Sequence, residues 1–154
     1  DPDARGARAI AHKKGIAVVN VVSSRMLLAH GFLARIFDVF ASHKVVVDLV
    51  STSEVSVSCT VDREERLDAA CDALRAFAEV SVSHGRTLVC VVTAGVQPSG
   101  EMLSRCFAAL SNEQVDVELV SMGASAINVS LVVRDGDGER SVRALHRGLF
   151  TTED

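Results

Sequence analysis

GFLARIFDVFASHKVVVDLVSTSEVSVS, residues 31–58, runs from a helix-period segment through an apolar strand into a polar turn, and it returns in altered form further down the chain. Leu33, Arg35, Phe37, Val47, Leu49, Val50 and Ser51 fall on Leu103, Arg105, Phe107, Val117, Leu119, Val120 and Ser121 at a constant offset of 70, with no gap between helix and strand. Val57-Ser58-Cys59 is then answered by Val129-Ser130-Leu131 at an offset of 72. The fold is therefore a duplication whose copies carry turns of different length. They diverge most where a turn can hold a ligand.

Working outward, each copy predicts the same elements. Ile16 to Val22 is β-rich and apolar and reads as a buried strand. Gly31 opens a helix in which Phe32, Leu33, Ile36, Phe37, Val39 and Phe40 recur at spacings of three and four, so one broad face must lie on a sheet. Val45–Val50 and Val55–Val61 read as strands around a Thr52-Ser53-Glu54 turn, followed by a helix over 64–79 and a short strand at Ser81-Val82 leading into Gly85. This is the split βαβ, ferredoxin-like order. The second half repeats it with strand 87–93, helix 101–110, strands 115–121 and 126–133 and helix 139–149, but nothing is left to form a last strand. Arg8-Ala9-Ile10-Ala11 is a plausible donor. The expected architecture is α+β: two tandem βαββαβ modules, antiparallel sheets with helices on one face. The first module (15–84) is inserted into the second (85–152), which is completed by a strand at about 7–13.

Composition limits the function. A chain of 154 residues, 48% hydrophobic, has enough apolar material for one ordinary core or two small ones. The net charge of −4, with no basic run longer than Lys13-Lys14, argues against a nucleic-acid partner. Its apolar runs are far shorter than the roughly 20 residues of a membrane helix. The chain reads as soluble, cytoplasmic, or from the plastid stroma in a plant or alga. Cys59, Cys71, Cys90 and Cys106 form no metal-type pair and read as buried reduced thiols. Asn128-Val129-Ser130 fits a glycosylation triplet but lies in a strand pattern, and Asp135-Gly136-Asp137-Gly138 reads as a turn rather than a calcium loop.

Two features suit a small zwitterion. Gly31 at a helix start leaves the amides of Gly31, Phe32 and Leu33 open to a carboxylate, although a plain turn glycine would look the same. Asp48 interrupts an apolar strand, so it is either paired, for instance with an ammonium, or placed on an exposed edge to discourage aggregation. The second copy holds Glu118 there and Gly123-Ala124 in place of Ser53-Glu54.

Tandem βαββαβ modules carrying RMLLAHGFLARIF, VDLVSTSEVSVS and LVSMGASAINVSLVV resemble the paired ACT domains that end aspartate kinases. The opening Asp1-Pro2-Asp3-Ala4-Arg5-Gly6 is similar to a degraded N-P-x-x-P-G linker of that family, and RALHRGLF at 143–150 to its closing helix. TSEVSVS resembles the monofunctional, lysine-sensitive kinases. The resemblance implies a feedback-regulatory domain that binds L-lysine where the first modules of a homodimer meet. Met26, Ala29, His30, Gly31, Phe32, Leu33, Val47, Asp48, Ser53 and Glu54 would line the site, with Glu54 suited to a terminal ammonium. Many bacterial relatives carry serine at the Ala29 position, and His30 reads by composition as a solvated loop residue. The family's K-F-G-G opening and Gly-rich phosphate loop are absent, which implies no kinase activity in this chain alone and a catalytic domain elsewhere in the full protein. No cofactor or metal is expected. The readings left open are a sensor of threonine or S-adenosylmethionine, an S-adenosylmethionine co-effector, and an effector-free assembly module.

Overall fold

The computed structural model describes residues 7–25, 30–93, 100–123 and 128–150. Its elements in chain order are β1 (Ala7–Val22), α1 (Phe32–Ser42), β2 (Val47–Thr52), β3 (Ser56–Val61), α2 (Leu67–Arg75), β4 (Glu79–Thr93), α3 (Gly100–Asn112), β5 (Leu119–Ser121), β6 (Asn128–Arg134), a 3-10 turn (Asp135–Asp137) and α4 (Gly138–Phe150). The chain divides into two compact units, one of residues Gly15–Gly85 and the other of Asp1–Lys14 with Arg86–Asp154.

In the 15–85 unit the strands run β2-β3-β1-β4. β3 pairs antiparallel with β1 (Ala17 opposite Val61, Val22 opposite Ser56) and with β2 (Val47 opposite Val61, Ser51 opposite Ser58). Alternation then sends Ala17, Val19 and Val21 of β1 and Val57, Cys59 and Val61 of β3 to one face, under Ile36 and Phe40 of α1 and Leu67, Ala70, Cys71 and Leu74 of α2. A β-bulge falls between Val47 and Val50. There the Leu49 N–H donates to the Oγ1 of fully buried Thr60 at 2.9 Å instead of to the strand ladder.

The other unit repeats the order as β5-β6-β4-β1. Val89 and Val91 of β4 and Val129, Leu131 and Val133 of β6 pack under Met102, Cys106 and Leu110 of α3 and Leu145 of α4, with Ala7 and Ile10 of β1 against the same core. Ser121 lies opposite Ser130 and Val120 opposite Leu131, as Ser51 lies opposite Ser58 and Val50 opposite Cys59. The two extra residues implied by the change of offset thus fall in the β5–β6 turn. Both first helices end in the same way. Lys44 (φ 57) and Gln114 (φ 54) take left-handed conformations, and Val45 N–H bonds Phe40 C=O as Val115 N–H bonds Leu110 C=O. This is the Schellman motif, with a long polar side chain where glycine is usual.

Several expected boundaries move. Ile16–Val22 and the donor segment at residues 8–11 are one continuous strand, β1, and the expected strands at Ser81-Val82 and 87–93 are one strand, β4. Gly15 (φ 70) and Gly85 (φ 65) lie inside these strands, because glycine adopts the left-handed region without cost to a side chain while the strand continues. The second helix is shorter than its apolar period suggested, Leu67–Arg75 instead of 64–79, since Arg66 takes a left-handed turn (φ 66) immediately before it.

Candidate functional site

Gly31 (φ 78, ψ 8) is the N-cap of α1, and no side chain caps the helix. The first-turn amides of an α-helix have no partner within it, and among the described residues none pairs with the Phe32 and Leu33 N–H groups, which lie beside an exposed, side-chain-free residue. The helix start is held from behind. Phe32 meets the Phe77 ring edge-on with centroids 5.7 Å apart, and the Arg35 guanidinium lies 3.9 Å from the same ring centre. The Phe32 side chain thus packs against the core of this unit.

Ser53 and Glu54 share this end of the unit. Ser23 N–H, at the exit of β1, donates to Val55 C=O at 2.9 Å, which sets the β2–β3 turn beside the end of β1. Within the turn Ser53 Oγ and Ser56 Oγ are 2.7 Å apart, and Ser53 N–H donates to Ser56 C=O. The Ser53 hydroxyl is therefore already engaged. Glu54 is exposed, with no partner among the described residues. His30 is exposed in the turn before Gly31, and Met26 and Ala29 lie outside the described residues.

Val47 and Asp48 are at the opposite end, beside the Ala17–Val61 pair. The eleven residues of α1 span about 16 Å between the two ends. One chain does not bring Asp48 to the Gly31 amides. Asp48 instead lines a cavity of about 380 Å³ with Lys44, Val46, Asp62, Arg63, Glu65 and Arg66, none of which belongs to a sequence motif that marks a site. Leu33, Val46, Val50 and Val55 of this unit are exposed apolar residues.

The second unit treats the equivalent carboxylate differently. Glu118 receives Arg86 Nε at 2.6 Å on one oxygen and lies 3.6 Å from Arg134 Nε on the other, and its side chain is 27% exposed. The signal for this was present in the offsets, since Arg134 stands where the first copy has Asp62, but neither position belonged to the quoted motifs. Among the described residues no group of three or more His, Cys, Asp or Glu side chains is placed to hold a metal ion, and no helix is long and apolar enough to cross a membrane.

The profile of the ACT domain family matches residues 19–77 and again 89–149. Chloroplastic aspartokinase 2 of Arabidopsis thaliana is 35% identical over 152 residues, 92% of this chain and 28% of that protein. The aspartokinase of Candida albicans is 36% identical over 95% of the chain and 28% of its own length. The chain spans under a third of the curated relatives it matches. Among solved structures, Escherichia coli aspartokinase III in complex with lysine and aspartate superposes with a TM-score of 0.81 at 31% identity, covering 94% of this chain and 33% of that one. A structure described as a C-terminal regulatory domain of aspartate kinase from Porphyromonas gingivalis superposes with a TM-score of 0.80 at 35% identity, covering 93% of this chain and 97% of that chain.

Proposed function

Since this chain belongs to the ACT domain family, as a tandem regulatory region of the aspartate kinase type, we propose that it binds L-lysine through its first repeat and passes feedback inhibition to a kinase domain elsewhere in the full protein. The observation that carries this reading is the difference between repeats. The first keeps an uncapped glycine helix start, an Asp48 with no ion pair among the described residues and a polar Ser53-Glu54 turn, whereas the second has its equivalent carboxylate held by two arginines. The solved relative from Escherichia coli, in complex with lysine and aspartate, supports the choice of ligand.

The separation of Gly31 from Asp48 defines how such a site is assembled. Lysine's carboxylate sits on the amides of Gly31, Phe32 and Leu33 of one copy, near Met26, Ala29 and His30. Its α-ammonium meets Asp48, beside Val47, of a second copy, and Ser53 and Glu54 close over the terminal ammonium. The dimer forms through the first repeat, where Leu33, Val50 and Val55 leave apolar surface exposed. Lysine acts by favouring the dimer geometry in which the attached kinase is inactive, with leverage limited to its differential affinity for the two states. The chain itself has no catalytic role. Following relatives described as chloroplastic, it works in a plastid stroma, or else in the cytoplasm. Calorimetric titration with lysine, threonine, methionine and S-adenosylmethionine tests the reading. Heat with lysine alone supports it, and no heat with any of the four leaves an assembly module.

A further inference from the structure

The two repeats place different partners around one seat. Ala17 lies opposite Val61 and Thr87 opposite Val133, so the residue before each first strand partner and the residue after each second one correspond: Ile16 with Arg86, and Asp62 with Arg134. Val47 opposite Val61 sets Asp48 into the same frame as Glu118. In the positions of Arg86 and Arg134 the first repeat thus offers fully buried Ile16 and a second carboxylate, Asp62, which lines the cavity of Asp48 together with Lys44, Arg63 and Arg66. On the same scaffold the second repeat offers Glu118 two guanidinium groups, at 2.6 Å and 3.6 Å. The Arg86 and Glu118 side chains are only 20% and 27% exposed, so this pair is more than a solvated surface contact.

We propose that Arg86 and Arg134 are a built-in counter-ion that fills, from within the second repeat, the seat a ligand's ammonium takes in the first. This rests on the lysine reading for its account of the first repeat, and it explains why duplicated modules yield a single effector site: a carboxylate already neutralised by two arginines has little left to gain from an alkylammonium ion. Asp62 is the matching specificity residue of the first repeat. Lys44, Arg63 and Arg66 line the same cavity without an ion pair to Asp48 among the described residues, whereas an arginine at position 62, in the register of Arg134, would reach Asp48 and compete with the effector.

Chemical rescue tests the proposal independently of lysine. In an Arg86→Ala/Arg134→Ala chain, millimolar methylguanidinium should raise the melting temperature by a few degrees while leaving wild type unmoved. An equal rise in both proteins, or none in the variant, overturns the proposal. Should the double variant not fold, Arg134→Ala, which changes a side chain that is 61% exposed, gives the same readout: rescue supports, no rescue overturns. In the first repeat, Asp62→Arg should lower lysine affinity at least tenfold in a chain that still folds. Unchanged affinity in a chain whose wild type binds lysine overturns the proposal. If methylguanidinium rescues the second-repeat variant but wild type binds no lysine, the lysine reading fails and the counter-ion stands.

Discussion

Asp48 and Glu118 occupy equivalent places in two copies of one fold, and their surroundings give them different chemistry. Asp48→Asn keeps shape and deletes one charge-assisted hydrogen bond, so lysine affinity measured by calorimetry should fall roughly 10- to 150-fold, the equivalent of about 1.5 to 3 kcal/mol. Glu118→Gln should leave lysine affinity nearly unchanged, because its carboxylate is spent on Arg86 and Arg134. Equal losses in both variants would move the site out of the first repeat. Thr60 is a second informative residue, since Thr60→Val leaves the Leu49 N–H of the bulge without its acceptor. Denaturant unfolding should show a loss of about 1 to 3 kcal/mol, and no loss would mean the bulge relaxes into the ladder that Val132 occupies in the other copy. The thiols predict a pH response. Burial raises Cys59 from 9.0 to about 12 and Cys106 to about 11. An unfolded chain releases these protons first as pH rises. Their stabilising contribution is therefore complete below pH 9 and is lost between pH 9 and about 11 to 12, so unfolding free energy should fall across that window, less steeply in a Cys59→Ala/Cys106→Ala chain.

At the scale of elements, β1 serves two cores. Its later residues Ala17, Val19 and Val21 belong to one, while Ala7 and Ile10 pack on the other and Lys14 pairs with Glu139 of α4 at 3.1 Å. Removing residues 1–14 should therefore speed hydrogen exchange in 86–150 more than in 15–85, and an equal rise in both would contradict this division of the strand. How much of this was legible follows from which signals are local. The duplicated helix-to-strand run and the alternation of Val55, Val57, Cys59 and Val61 fixed element type and order, because each is a periodicity contained in a single segment. The continuity of β1 and β4 was hidden by Gly15 and Gly85, which look like breaks in sequence and are left-handed positions within strands. The glycine-led helix and the polar turn stood out as motifs. The cavity around Asp48 did not, because Lys44, Asp62, Arg63 and Arg66 come from two separate loops that only the folded register brings together.

For the whole molecule, the decisive consequence of the fold is that Gly31 and Asp48 lie at opposite ends of α1. A lysine site that uses both requires two copies related by a two-fold axis, and each dimer then carries two such sites. Lysine should accordingly strengthen self-association, read as a rise in dimer fraction by light scattering at micromolar chain, and Val47→Arg should weaken it. The most direct test mixes two damaged chains, Gly31→Val with an intact Asp48 and Asp48→Asn with an intact Gly31, neither of which binds lysine well alone. Calorimetry on the re-equilibrated equimolar mixture should recover about a quarter of the wild-type sites at wild-type affinity, because half of randomly mixed dimers are hybrids and each hybrid joins one intact loop to one intact Asp48. A mixture that binds no better than its two components would contradict a site shared between copies.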